Sequence, residues 1–413
     1  MAPSLWKNRS FVLLWLAQVT SNIGDQFYAI ALLWYLLQTT QSAATLSLLA
    51  VPEMVAGFLF YLIGGVLADR YSPRSLMAGA DVARLVLALL VGWLVVAGTK
   101  ELPYFLAAQF FIGMFSTLFH PSKTVALKTL VPTEQLSRAN AILDTTFRTI
   151  RILAPMTIGF LASVLPIASL FFVNAGSYLL SACLIFAIRR SQLEGKPPAE
   201  NRLTLRQYGR DLASAVGEVT GNRLLFYILL FSNMGFLVWQ VCWSVGFPVL
   251  ADTLGGRDAG TLGVLIGCYG AGNLLGSLFM SRMVYQHHLF VILMGWLFQS
   301  VGFLAMGLGQ EFVWIVYLSA GIAGVGGPLI GIPNVTAVQT IVGNANTGKV
   351  YALNMLLFTF FCVMSSSLGA LWLGDWQVSR LFVASGLFLA GMIAVGLLLE
   401  RKERREQSQS YAG

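Results

Sequence analysis

Five charged residues, Asp25, Glu53, Asp144, Arg148 and Arg151, stand inside stretches of sequence that are otherwise almost wholly apolar. A charge at the middle of a membrane helix costs about 2.5–3.5 kcal/mol on insertion scales, so five facing lipid would cost on the order of 12–17 kcal/mol. That is comparable to the stability of an entire domain. These side chains must face protein or water, where a carboxylate can take up and release a proton and a guanidinium can exchange partners. Gln18, Asn22 and Asp25 follow one another at steps of four and three, with Ser21 and Tyr28 beside them. Helical geometry stacks them into one polar stripe. The stripe is either a cavity wall that contacts substrate, with Asp25 as a protonatable site, or a structural seam in which Asp25 locks its helix to a neighbour. Asp144, Arg148 and Arg151 share a face in the same way, and Asp144 can pair with Arg148 at i,i+4. That leaves Arg151 to meet Asp25, Glu53 or an acidic part of a substrate, or to act as a latch between two halves. Glu53, next to Pro52, is a candidate for proton uptake from outside or a solvated residue at a pore mouth.

Later in the chain the polar candidates carry no charge at membrane depth. Asn233, Gln240 and Ser244 fall on one helical face with Trp239 and Trp243 beside it, and Tyr269, Asn273 and Ser277 recur at steps of four. The two tryptophans, Asn233 and Gln240 are candidate substrate contacts, with plain packing as the alternative. Gly263 with Gly267, and Gly272 with Gly276, have the spacing that lets helices approach closely, and they are expected to form moving contacts between two halves. The four cysteines have no paired spacing and read as packing residues, and with only three histidines a His/Cys metal centre is not expected. A P-loop, which would need Gly-x-x-x-x-Gly-Lys-Ser/Thr, is not present. No cofactor is expected. A membrane enzyme would need a nucleophile with its base, and a sensor would need a sizeable soluble domain; both readings are remote.

The elements that position these residues follow from composition. Of 413 residues 57% are hydrophobic and 11% charged, against about 25% charged in ordinary soluble domains. Apolar runs of about 20 residues recur at 10 to 37, 44 to 68, 75 to 98, 103 to 124, 139 to 164, 168 to 188, 224 to 250, 260 to 281, 288 to 308, 312 to 332, 350 to 373 and 378 to 399. The expectation is an all-α membrane protein of twelve transmembrane helices in two pseudo-symmetric six-helix bundles. Residues 1–188 form the first bundle, 189–223 a central cytoplasmic loop with a helix-compatible stretch from Thr204 to Val219, 224–399 the second bundle, and 400–413 a basic tail. The first span runs on through Gln18, Asn22 and Asp25 and is too long and polar for a signal peptide. Twenty of the 26 Lys and Arg residues fall on one side of this layout, so the positive-inside rule places both termini in the cytoplasm. The net charge of +8 has the same origin, and basic residues scattered over short loops do not suit nucleic acid. A weak repeat supports two parallel halves: Pro121 to Val131 echoes Pro333 to Val342, and Gly65, Val66 and Leu67 correspond to Gly276, Ser277 and Leu278.

Between the second and third spans lie Gly65, Leu67, Ala68, Asp69, Arg70 and Arg74. This segment resembles the loop between helices 2 and 3 of the major facilitator superfamily, Gly-x-Leu-Ala-Asp-Arg-x-Gly-Arg-Arg/Lys, with Ser72 and Pro73 departing from it. The run from Phe119 to Ala141, the triplet Ile23, Gly24, Asp25 and the pair Asp81, Arg84 are similar to the drug-efflux branch, which includes macrolide, enterobactin and lysophospholipid exporters. The resemblance implies the major facilitator fold. It also implies a conformational gate in which Gly65, Asp69, Arg70 and Arg74 meet the start of helix 11 near Gly348, Lys349 and Val350, with Asp81, Arg84 and Arg148 as further gate residues. The function it implies is proton-coupled export of drugs or other amphipathic molecules by alternating access, with Asp25, Glu53 and Asp144 handling protons. The alternative is a transporter of an endogenous anionic amphiphile, a lysophospholipid or siderophore, contacted by Arg151. The expected setting is the plasma (inner) membrane, with lipid, protons and substrate as partners and a monomer as the working unit.

Overall fold

The computed structural model describes residues 5–40, 50–164, 166–193, 205–254, 259–372 and 378–410, and every regular element among them is helical. The long helices are α1 (Arg9–Thr40), α2 (Ala50–Arg70), α3 (Pro73–Val96), α4 (Leu102–Leu130), α5 (Leu136–Val164) and α6 (Ile167–Ala187). After α7 (Leu205–Gly221) come α8 (Arg223–Met234), α9 (Ala259–Arg282), α10 (His288–Leu308), α11 (Val313–Ile341), α12 (Thr347–Trp372) and α13 (Val378–Ser410). Ten spans among the described residues are long and apolar enough to cross a bilayer. Outside that set stands α1, whose Gln18, Asn22, Asp25 and Gln26 dilute its hydropathy. Several helices outrun the apolar windows expected for them. α4 continues to Leu130 and α11 to Ile341, because hydropathy marks where the apolar region stops and not where backbone hydrogen bonding does.

Local chemistry accounts for the boundaries. Asn8 caps α1 through its side-chain oxygen, which accepts from the N–H groups of Ser10 (3.1 Å) and Phe11 (3.2 Å), as an N-cap should. A proline sits in the first turn of both α3 and α4. α3 ends in a left-handed residue, Gly98 at φ 70°, with Gly98 N–H donating to Val95 and Thr99 N–H to Leu94, both at 3.0 Å. This pair of bonds is the Schellman arrangement, which needs glycine.

Two compact units emerge. The first comprises Met1–Ala139, Thr146–Glu218 and Val342–Leu356, and the second Asn140–Thr145, Val219–Ile341 and Leu357–Gly413. In the first, α2 packs on α4, α3 on α4, and both α1 and α3 on α6. In the second, α9 packs on α11, α10 on α11, and α10 on α13. The second, third, fourth and sixth long helices of each set thus choose corresponding neighbours, as an internal repeat requires. The echoed prolines, Pro121 in α4 and Pro333 in α11, are both buried inside their helices. In the second unit's core Trp296 is fully buried and its indole N–H donates to the Phe231 carbonyl at 2.8 Å.

The seventh span departs from expectation. Residues 224 to 250 read as one helix, whereas α8 stops at Met234, resumes over Phe236–Val241, widens into a π turn over Cys242–Gly246 and returns to α-helix over Phe247–Thr253. Gly235 marks the first break, where the Trp296 ring leaves no room for a Cβ.

Candidate functional site

In the first unit, α1 brings Asp25 against α6. Gly24 makes that approach possible, since a Cβ there would collide with Ser177 and Asn174. The Tyr178 hydroxyl donates to Asp25 Oδ1. Gln18 and Ser21 are buried, and Asn22 and Asp25 are half-buried. From α3 come Asp81 and Arg84, both buried, paired at i,i+3. The second Asp81 oxygen accepts from Ser181 Oγ at 2.6 Å. The Arg84 guanidinium lies 4.7 Å from the ring centroids of both Phe119 and Tyr178, a desolvated cation–π geometry. Arg84 and Asp81 are within electrostatic range of Asp25, as is Glu53, which is exposed on α2. Two carboxylates and one guanidinium therefore share a largely buried cluster, with a third carboxylate at its margin.

This placement corrects one expectation. Asp81 and Arg84 do pair, but they join Asp25 and not the gate around Asp69. The reason is length: α3 starts only at Pro73, and at 1.5 Å per residue the eight helical steps from there put Asp81 roughly 12 Å along α3 from its start.

Around Asp69 the same unit forms a second constellation. Asp69 Oδ1 accepts from Gly348 N–H at 2.7 Å and Oδ2 from Lys349 N–H at 2.9 Å. These are unpaired donors at the positive N-terminal end of α12, the segment singled out in the sequence. Gly65 sits directly against the Gly348 carbonyl and Ala352, where no Cβ fits. Arg70 pairs with Asp211 of α7, whose other oxygen lies 3.6 Å from Lys349 Nζ. Glu218 of α7 accepts from Gly343 N–H at 2.7 Å and from the Asn346 side-chain amide. Lys128 of α4 donates to the Val342 carbonyl and to Thr347 Oγ1 at 3.0 Å. Arg74 turns elsewhere, donating to the Phe186 carbonyl and lying 5.3 Å from that ring's centroid.

In the second unit, Trp239 and Trp243 stack at 5.6 Å and 7°. The Trp239 indole N–H donates to the Tyr269 hydroxyl at 2.9 Å, and Gln299 Nε2 donates to the same oxygen at 2.8 Å. Gln240 is half-buried. Asn233 does not belong with them: it is 2% exposed and its amide donates to the Leu229 carbonyl at 2.7 Å. Along this span Asn233 is buried, Gln240 half-buried and Ser244 exposed, with Ser244 inside the π turn. Asp144 accepts from Ser277 Oγ, while Asn140 donates to Thr336 Oγ1 at 3.0 Å and to Gln339. Gly272 and Gly276 abut the carbonyls of Gly321 and Val325 in α11. They pack within this unit, while Gly263 and Gly267 have nothing within 4 Å of where a Cβ would stand. Arg148 is half-buried and Arg151 exposed.

The model of the Major Facilitator Superfamily matches residues 14–257, more than half of the chain. The chain belongs to the Major Facilitator Superfamily. It is a multi-pass membrane protein, similar at 26% identity to the uncharacterised transporter YfiS of Bacillus subtilis, over 100% of this chain and 97% of that one. It is 23% identical to macrolide efflux protein A of Streptococcus pyogenes, over 93% and 94%. Among solved structures, an outward-facing bacterial homologue of the iron transporter ferroportin, soaked with iron, superimposes with a TM-score of 0.73 at 16% identity, covering 94% and 98%. The proton:xylose symporter XylE bound to 6-bromo-6-deoxy-D-glucose gives 0.72 at 14%, covering 97% and 96%. At those identities the structural likeness speaks for the fold alone.

Several residues of this major facilitator escaped the sequence reading. Tyr178 lies in a highly apolar helix and no charge pattern marks it. Its signal is the stripe Asn174, Ser177, Tyr178 and Ser181, at i, i+3, i+4 and i+7. Asp211, Ser214 and Glu218 on α7 carry the same signature.

Proposed function

We propose that this chain is a secondary active exporter in the plasma membrane that moves amphipathic small molecules, drugs among them, outward in exchange for protons. Twelve membrane helices in two six-helix bundles would provide alternating access, with both termini cytoplasmic. The observation that carries the reading is the Asp25 carboxylate on α1, held by Tyr178 beside the Arg84/Asp81 pair. A carboxylate there is tolerated because it has partners, and it changes charge when it takes a proton. Glu53 and Asp144 are the further proton-handling candidates. Gln18, Asn22, Trp239, Gln240 and Trp243 are the candidate substrate contacts. The Asp69, Arg70 and Gly65 constellation is the gate. Similarity to macrolide efflux protein A supports export and suggests macrolides as first probes.

The energetics suffice. One charge crossing about 100 mV releases about 2.3 kcal/mol and one pH unit about 1.4 kcal/mol, enough for a gradient of a neutral solute of a few hundred-fold. The test is erythromycin and ethidium transport by purified protein in proteoliposomes under an imposed pH gradient. Asp25→Asn is expected to abolish pH-driven transport while retaining substrate exchange at equilibrium. Undiminished pH-driven transport in that variant would refute the assigned role. The exposed Arg151 supports a second reading, an endogenous anionic amphiphile as substrate. In that case Arg151→Ala raises the apparent KM for a lysophospholipid and leaves ethidium transport unchanged.

A further inference from the structure

We propose that Tyr178 is a positioning residue of the proton site, joining the Asp25 carboxylate to the Arg84/Asp81 pair so that these four side chains take up a single proton as one unit. This inference rests on the proton-coupled reading of Asp25. Tyr178 is 1% exposed and touches both sides of the cluster. Its hydroxyl donates to Asp25, and its ring lies against the Arg84 guanidinium. Phe119 from α4 covers the same guanidinium, Asp81 accepts from it, and Ser181 from α6 holds the other Asp81 oxygen. Arg84 is thereby fixed by three helices and serves as a stationary positive charge.

The charge count gives the stoichiometry. The groups facing Asp25 are Tyr178 of α6, Arg84 and Asp81 of α3, and Glu53 of α2, which is exposed; His120 of α4 stands within range of Arg84. With Asp25 and Asp81 ionised and Arg84 charged, the buried set carries one net negative charge. One proton neutralises it, and a neutral cluster is the least costly to hold away from water. Two carboxylates that share a cation titrate as a pair and not as separate sites. A phenylalanine at 178 would fill the same space and lie on Arg84 equally well. Only the hydrogen bond to Asp25 would be lost, with the through-space effect of Arg84 left in place, so the hydroxyl is the link that this substitution isolates.

The experiment is an infrared titration of protonated carboxyl bands in proteoliposomes containing the full chain, with no transported ligand. Asp25→Asn is expected to remove a titrating band, and Asp81→Asn to displace that band's midpoint. Tyr178→Phe is expected to displace it by about half a pH unit or more, the scale of one net hydrogen bond. In the Tyr178→Phe background the effect of Asp81→Asn should fall to less than half. If Tyr178→Phe leaves the midpoint and the Asp81→Asn effect at their wild-type values, the link is disproved while the proton site stands. If Asp25→Asn removes no titrating band, the proton reading itself fails, and this inference with it. Should Tyr178→Phe not accumulate as folded protein, Ser181→Ala tests the same connection from the Asp81 side: the Asp25 midpoint moves, or the connection does not exist.

Discussion

Arg84 shows how a residue that looks prohibitive in an apolar helix becomes tolerable. Its charge is met by Asp81, and its flat faces are matched by the rings of Phe119 and Tyr178. Such a buried pair is held more by what its absence would leave than by its own net worth. Removing one member strands the other charge, at about 3–5 kcal/mol, whereas replacing both with apolar groups is often neutral. Arg84→Leu is therefore expected to destabilise the protein by about 3–5 kcal/mol, and the Arg84→Leu/Asp81→Leu double variant to recover most of that loss. Unfolding in detergent followed by circular dichroism decides it; a double variant less stable than the single one would contradict this view of the pair. The same reasoning makes Asp25 different in kind. It is half-buried and held by a neutral hydroxyl, so its charge can change without stranding a partner.

Helices pack by what their smallest residues permit. Gly65 of α2 meets the Gly348 carbonyl and Ala352, while Gly79 of α3 has nothing within 4 Å of where a Cβ would stand. Gly65→Ala is expected to destabilise by about 1–3 kcal/mol through overpacking, and Gly79→Ala to stabilise by about 0.5–1 kcal/mol through lower helix entropy cost. Melting temperatures of the two variants should shift in opposite directions. The broken seventh span makes a second demand, because the Val241 N–H donates to Ser365 Oγ at 3.0 Å next to the π turn. Ser365→Ala removes that bond, at about 0.5–1.5 kcal/mol, and hydrogen exchange at Val241 should quicken accordingly. These elements also mark the limit of what the sequence discloses. Apolar runs announce where spans lie, whereas the meeting of Asp69 with the start of α12 was implied by the resemblance of the loop to that of the major facilitator superfamily and not by the residues alone. A π turn has no residue signature, and the stripe drawn through Asn233, Gln240 and Ser244 assumed α-helical periodicity where Cys242–Gly246 widens into a π turn. Periodicity likewise says which face Arg84 occupies but not that Phe119 and Tyr178, 35 and 94 residues further along, close over it.

On the scale of the whole chain, the most telling feature is that Val342–Leu356, late in sequence, belongs with the first compact unit. It is held there by acids and a base from three elements: Asp69 of α2 on the N–H groups of Gly348 and Lys349, Lys128 of α4 on Val342 and Thr347, and Glu218 of α7 on Gly343 and Asn346. These contacts join distant parts of the chain through a handful of polar bonds to its acids and its base. Hydrogen bonds to a charged group contribute about 1.5–3 kcal/mol each, and every 1.4 kcal/mol is a tenfold change in population. The start of α12 should therefore open rarely in the wild type and roughly ten- to hundred-fold more often once Asp69 loses its charge. Val350, fully buried, reports the opening. In a background with Cys183, Cys242, Cys268 and Cys362 replaced by serine, Val350→Cys is expected to react slowly with a water-soluble maleimide. Adding Asp69→Asn should speed labelling by at least tenfold, and adding Glu218→Gln should speed it further. Because both acids hold the same short segment, the two effects should combine non-additively. Labelling that stays slow in the Asp69→Asn/Glu218→Gln variant would mean that apolar packing, and not these acids, holds the start of α12 in place.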